Sequence, residues 1–326
     1  MRIKLKLVFV ACFSLIDNEH IRTYFTCFVR FCTENIFVFA RLFVVFHNLK
    51  ITFAQCNEIL CVVYNLFDKS DKFVLHSNLF VMKNINKEKI LFLDIETVPQ
   101  TIDYRSLPGR LSKLWEEKAV SLKKRLPERY TDEMDAQTVF ANGAGIFSEF
   151  GKIVCISAGF IYRKNGEEKF RVKSFYGDEE AVLLRGFCSM LLLFGKPNEI
   201  SLCGHNIKEF DVPYICRRLL VNGLPLPDVL DIGAKKPWEV PFMDTLEMWR
   251  FGDYKNYTSL NLLTAIFNIP TPKDDIDGSE VAKVYYEEKN VERISVYCQK
   301  DVVATAQLWL RLNSFPLIEE SCIEHV

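Results

Sequence analysis

From Ile90 to Leu93 the chain is continuously apolar and then meets Asp94, the pattern of a strand covered on both faces. Downstream, KIVCISAGFIYR and KFRVKSFYG are rich in β-branched and aromatic residues. They are divided by Lys164-Asn165-Gly166, so they predict two strands joined by an Asn-Gly hairpin. Asp178 stands where it can cap a helix running through Leu193, and Ile200 to Cys203 is a short strand ended by Gly204-His205-Asn206. A helix is expected from about Glu209 to Asn222, with Gly223 in the usual closing position. After a Pro-rich connection from Pro225 to Pro241, Thr258 or Ser259 precedes the amphipathic LNLLTAIFNI, and a last long helix spans Val291 to about Leu312. Strands alternating with helices predict an α/β domain.

Residues 105 to 145 interrupt that alternation as a polar insertion. Within it Leu111 to Leu126 reads as a helix that gives way at Pro127 and carries Lys113, Lys118, Lys123, Lys124 and Arg125. Such a face is either simply solvated or a flank that contacts phosphates. Asn142-Gly143-Ala144-Gly145 has neither the lysine of a phosphate loop nor the G-x-G-x-x-G spacing, and reads as loop.

Composition changes this picture at the N-terminus. All 14 glycines, 12 prolines and 4 tryptophans lie after Val81, whereas residues 1 to 81 are crowded with Phe, Val, Ile, Leu and Cys. A stretch that long without Gly or Pro lacks the strongest turn formers of a compact domain. Residues 1–81 are therefore read as an extension, non-native or poorly ordered, and 82–326 as the functional domain, led in by the polar MKNINKEK. The rival reading is targeting: MRIKLK followed by LVFVACFSLI resembles a signal peptide, but no small-x-small cleavage site follows. FVFARLFVVF is broken by Arg41 and falls short of the roughly 18 apolar residues that span a bilayer. No stable membrane association is expected.

With 49% hydrophobic and 25% charged residues and a net charge of −1, the chain is an ordinary globular one. A polyanionic partner would have to be held by local basic patches or by metal. The 11 cysteines form no C-x-x-C pair and no zinc-spaced cluster, which fits reduced thiols in a reducing, cytoplasmic compartment. Of the 5 histidines, three precede Met82, so Ser/His or Cys/His nucleophilic catalysis fits poorly.

The strand at Ile90 ends with Asp94 and Glu96, two positions apart and hence on one face. Their charges repel unless a cation, a basic side chain or water answers them, or one holds a proton. Further on, Phe210-Asp211 stands near the start of a helix, where an acid can simply cap free N–H groups. Tyr297 and Asp301 are i, i+4 neighbours on the last helix, a common surface pair when taken alone.

Taken in order, Asp94-Ile-Glu96, Asn206-Ile-Lys-Glu-Phe210-Asp211 and Tyr297-Cys-Gln-Lys-Asp301 resemble the three motifs of DEDD exonucleases, in the branch with tyrosine in the third. Val296 stands where a histidine would mark the sister branch. The likeness is closer to the proofreading exonuclease domain of family B DNA polymerases and to stand-alone bacterial proteins related to it, and covers about Ile90 to Leu312. It implies a ribonuclease H-like fold, a mixed central sheet flanked by helices. It also implies that Asp94, Glu96, Asp211 and Asp301 hold two divalent cations, Mg²⁺ or Mn²⁺, which take carboxylate oxygens and clamp an in-line phosphoryl displacement from about 4 Å apart. In the family Asp94 would bridge the ions, Glu96 would bind the one nearer the attacking water, and Tyr297 would orient that water. With a reference pKa of about 10, Tyr297 is a poor general base.

Thr97, His205, Asn206 and Phe210 are the candidates for contacting the terminal nucleotides, although His205 also suits a structural place at a strand end and Phe210 a place in the core. The implied activity is metal-dependent 3′→5′ hydrolysis of DNA, single strands or 3′ ends, releasing nucleoside monophosphates. RNA is the leading rival substrate, since that choice depends on recognition of the 2′-OH. A nucleic-acid binder retaining the fold without catalysis is the other alternative. No polymerase domain fits in the chain, so proofreading would act in trans, and repair or RNA processing would serve equally well.

Overall fold

The computed structural model describes residues 86–197, 199–236, 239–270 and 276–326, so the expectations for residues 1 to 81 lie outside the described part. Its centre is a six-stranded mixed sheet ordered β5-β4-β1-β2-β3-β6. These strands are β1 (Ile90–Pro99), β2 (Gly151–Lys164), β3 (Glu167–Tyr176), β4 (Ser201–Gly204), β5 (Met243–Asp244) and β6 (Ile323–His325). β2 runs antiparallel to both β1 and β3, while β4 and β5 add to β1 in parallel and β6 pairs in parallel with β3. This is a mixed central sheet flanked by helices in an α/β fold, the architecture that the resemblance implied.

Among the described residues seven α-helices of six or more residues accompany the sheet: α1 (Leu111–Arg125), α2 (Ala136–Gly143), α3 (Glu180–Phe194), α4 (Asp211–Val221), α5 (Thr245–Arg250), α6 (Leu260–Ile266) and α7 (Val291–Leu312), besides a helical turn at Val281–Lys283 that runs into a π-turn at Val284–Glu288. Alternation along β1 decides what lies on each side. Leu91, Leu93 and Ile95 pack with Leu183 and Phe187 of α3 and Val212 and Ile215 of α4. Ile90 and Phe92 pack against Val302, Ala306 and Trp309 of α7, and Val98 against Tyr297 and Cys298 of the same helix. Asp94 and Glu96 share this second face, so α7 covers both acids. Among the described residues no helix is long and apolar enough to cross a membrane.

Local chemistry explains most element ends. Asn165 and Gly166 have φ of 54° and 86°, the left-handed pair that a two-residue hairpin requires, and Lys164 pairs with Glu167 across it. Ser259 caps α6 by accepting from the Leu262 N–H. Asp178 does not cap α3: its carboxylate accepts from the Tyr285 hydroxyl at 2.6 Å, and the helix begins at Glu180 without a side-chain cap. The helix expected from Glu209 begins two residues later, because residues 205 to 210 form a turn that includes Asn206 at φ 66°. In the insertion, Asn142-Gly143 ends α2 instead of lying in a loop. Asp135 caps this helix, and its Phe140 meets the Trp115 ring edge-on at 5.0 Å. Trp115, Leu122, Tyr130, Val139 and Phe140 give the insertion an apolar cluster of its own.

α3 and α4 are joined by a buried ion pair. Glu180 accepts from Arg218 Nε at 2.8 Å and Nη2 at 2.6 Å, and also from the Ile153 N–H at 2.8 Å and Asn222 Nδ2 at 2.9 Å. Arg218 Nη1 donates to the Ser148 carbonyl at 2.9 Å. Removing one partner leaves a charge in the core. Urea unfolding of Arg218→Ala is expected to show a loss of about 3–5 kcal/mol, with a smaller loss for Glu180→Leu/Arg218→Leu, which removes both charges.

Candidate active site

The pairing of β1 with β4 runs from Ile90 with Ser201 to Phe92 with Cys203 and stops there, while β1 continues to Pro99. The N–H of Ile95 on that edge is taken by a side chain: Asp211 Oδ1 accepts it at 3.2 Å. Asp211 is the first residue of α4 and is 3% exposed, so it is held both by its helix start and by β1. Beside it, the turn from β4 is tight. A Cβ on Gly204 would come within 2.7 Å of the Ile207 side chain, and Asn206, a residue that tolerates left-handed backbone, takes the positive φ.

Asp94, Glu96, Asp211, Tyr297 and Asp301 line one cavity of about 330 Å³, together with His205, Asn206 and Phe210. Residues more than two hundred positions apart thus meet in one place. Thr97 is not in that lining. It alternates to the α4 side of β1, near Tyr214, whose hydroxyl donates to the Gly145 carbonyl at 2.8 Å. Tyr257, Ser259, Leu260, Asn261 and Gly278 complete the wall. The sequence marks Ser259 only as a cap and Leu260 and Asn261 only as the start of the helix behind it, and it gives no sign of Tyr257 or Gly278.

The acids load one another. Withdrawal from water holds Asp94 well above the usual carboxylate range, helped by the charges of Asp211, Asp301 and Glu96; the Cys298 thiol opposes this. Burial pushes Asp211 up to about 7, with Asp244 and Asp301 adding to it, against the backbone N–H groups that favour its ionised form. Burial and the neighbouring carboxylates of Asp301, Glu96 and Asp94 also push the Tyr297 phenol up. Cys298 Sγ lies 3.4 Å from the Asp94 carbonyl and 3.5 Å from its Oδ2. One donor atom each from Asp94, Glu96 and Cys298 lie within 4.8 Å of one another, an arrangement that could hold a cation.

His205 is fully engaged. Its Nε2–H donates to the Thr258 carbonyl at 3.0 Å, which leaves Nδ1 to accept from the Thr245 hydroxyl at 2.9 Å. Burial lowers its pKa, so the ring is neutral near pH 7 and ties the end of β4 to the 258 region. Asp244 does comparable work. Its carboxylate accepts from the N–H groups of Asn206 at 2.9 Å, Lys208 at 3.2 Å, Leu246 at 2.9 Å and Glu247 at 3.4 Å, so one side chain caps α5 and clamps the turn leading to Asp211. The Asp244-x-x-Glu247 spacing was a legible helix-start signal, but nothing in it announced the reach to Asn206.

No curated protein matches the chain. A solved structure, that of the family B DNA polymerase from the hyperthermophilic archaeon Pyrobaculum calidifontis, is similar at 16% identity with a TM-score of 0.41, covering 68% of this chain and 24% of the polymerase, so the chain spans about a quarter of that protein's length. Residues 146–317 match the family described as predicted 3′-5′ exonucleases related to the exonuclease domain of PolB. The matched stretch begins after β1 and contains Asn206, Phe210, Asp211, Tyr297 and Asp301. More than half of the sequence lies inside that match, and the chain belongs to this family of predicted exonucleases related to the PolB exonuclease domain.

Proposed function

We propose that the protein is a metal-dependent 3′→5′ exonuclease that hydrolyses the terminal phosphodiester bond of DNA, prefers single-stranded ends, and releases nucleoside monophosphates. The observation that carries this reading is the convergence of four carboxylates and one phenol in a single cavity. Buried like charges are costly, and the raised pKa values of Asp94 and Asp211 record that cost. A hard divalent cation fits such a donor set, because carboxylate oxygens are its preferred ligands and its charge offsets their repulsion. Asp94, Glu96, Asp211 and Asp301 would hold two such ions. Bound there, they would supply Lewis-acid activation of water and charge stabilisation at the leaving 3′ oxygen.

The chain's own groups then have distinct tasks. The Tyr297 phenol stays protonated at neutral pH, so it acts as a hydrogen-bond donor and not as a base. In the cavity wall beside Asp301, it orients the attacking water. Asp211 keeps its aim through the Ile95 N–H, and Asp244 steadies the turn before it. Asn206 and Phe210, in the wall, support the terminal nucleotide.

Incubation of the full chain with 5′-labelled single-stranded DNA and RNA tests the proposal. Mg²⁺ or Mn²⁺ is expected to give a ladder shortening from the 3′ end, faster on DNA. Asp94→Ala should abolish it and Tyr297→Phe should slow it by about 10-fold or more. Undiminished shortening in EDTA would rule the reading out.

The raised acids also make a stability prediction. A carboxyl whose folded pKa lies above its unfolded value of about 4 contributes stability that is fully present below that value and is lost as pH rises through the folded pKa. With Asp211 near 7, thermal melts in EDTA should show stability falling between about pH 4 and 8, by on the order of a few kcal/mol. Asp211→Asn should flatten that decline and exceed the wild type at pH 8, and divalent cation should raise the wild-type melting temperature there. A wild-type profile that instead rises over this range contradicts the charge loading.

A further inference from the structure

The connection between α5 and α6 carries aromatic side chains that the core does not bury. Phe251, Tyr254 and Tyr257 are 89%, 75% and 63% exposed, and they are three of the four strongly exposed aromatic residues among those described. Phe251 is also conformationally costly. It closes α5 at φ 45°, ahead of Gly252 at φ 89°. A bulky residue in the left-handed region gives up roughly 1–2 kcal/mol, and here no burial of the ring returns it. Glycine or asparagine would make the same turn at less cost.

Both ends of this segment are tied to the candidate site. At the far end, Tyr257 lines the acid cavity, its ring edge-on to His205 with centroids 6.2 Å apart, and His205 holds the next carbonyl, that of Thr258. At the near end stands Arg250, whose side chain is only 12% exposed. Its guanidinium reaches Glu209 at no closer than 3.9 Å and lies 5.9 Å from the Tyr254 ring. Its Nε is buried without a hydrogen-bond partner. The Nε is sealed from outside, but the exposed edge of the guanidinium has no close carboxylate to neutralise it, and a phosphate oxygen would pair with that edge. Open π-faces beside a cation that is only loosely paired are the combination that binds unpaired nucleic acid strands without regard to sequence.

Building on the exonuclease reading, we propose that residues 250–257 form a strand-gripping strip for the unpaired nucleotides behind the 3′ end. Tyr257 takes a base at the cavity mouth, Tyr254 and Phe251 take further bases, and Arg250 takes a backbone phosphate. The strip selects single strands because bases stacked within a duplex have no face to offer.

Binding of the full chain in EDTA to fluorescein-labelled oligothymidylate, read by anisotropy beside the same strand with abasic sites, tests this without requiring hydrolysis. The wild type should prefer the intact strand. Tyr254→Ala and Tyr257→Ala should each weaken it about 5- to 100-fold and narrow the difference from the abasic strand, and Tyr254→Trp should restore it. Arg250→Gln should weaken binding to both strands and lower the dependence of log affinity on log salt by about 0.7. Equal wild-type affinity for intact and abasic strands, or alanine variants that bind as the wild type does, would overturn the proposal. So would a change of oligomeric state in Tyr254→Ala on sedimentation with strand affinity intact, which would make the aromatics a self-association face. Discrimination between the strands without any cleavage in Mg²⁺ or Mn²⁺ would count against the exonuclease reading alone, and cleavage without discrimination against the strip alone.

Discussion

Where β4 stops pairing and β1 runs on, an N–H in the middle of a sheet must find an acceptor, and it finds Asp211. This one hydrogen bond joins the first and second motifs. It fixes the start of α4 against the strand that carries Asp94 and Glu96, and it does so with the carboxylate that the chemistry would need. α7, pressed on the other side by Trp309, Val302 and Cys298, brings Tyr297 and Asp301 to the same end of the sheet. The acids are thus held close by helix packing and by a backbone N–H, not by attraction to one another, which is how a protein can keep mutually repelling groups together.

Much of this was legible in the sequence, and for identifiable reasons. The apolar run at Ile90, the Asn-Gly hairpin and the last helix rest on periodicity and turn chemistry, which are local. The three motifs were legible because each acid stands at a fixed offset on a recognisable element. What escaped was long-range. Asp178 had the right residue type and position for a cap, yet Tyr285 from far along the chain claims it. α2 hid because its helical pattern is short and its stability comes from Trp115, another segment's side chain. Thr97 looked like a neighbour of the acids in sequence, but strand alternation turns it to the opposite face.

Asp244 and His205 show a second kind of illegibility. Both lie among ordinary capping or strand-end signals, and both serve as fasteners between loops that come together only in the folded chain. Neither needs to touch substrate to matter, since a turn that drifts by an ångström would carry Asn206 and the start of α4 with it. The sites where sequence reasoning is weakest are therefore the joints between segments, whereas the groups those joints hold are easier to find.

The margins of the sheet carry a different consequence. On one side β5 is only two residues long; on the other, the three residues of β6 lie along β3, with Arg171 and Glu324 bridged at 2.7 Å across the seam. A long, flat margin would invite a neighbouring molecule's strand to dock there. Here one side is too brief to template such growth and the other is partly roofed by the chain's own tail and a charged clasp. The same architecture that gathers the acids at its centre is guarded at its borders against fibre-like aggregation.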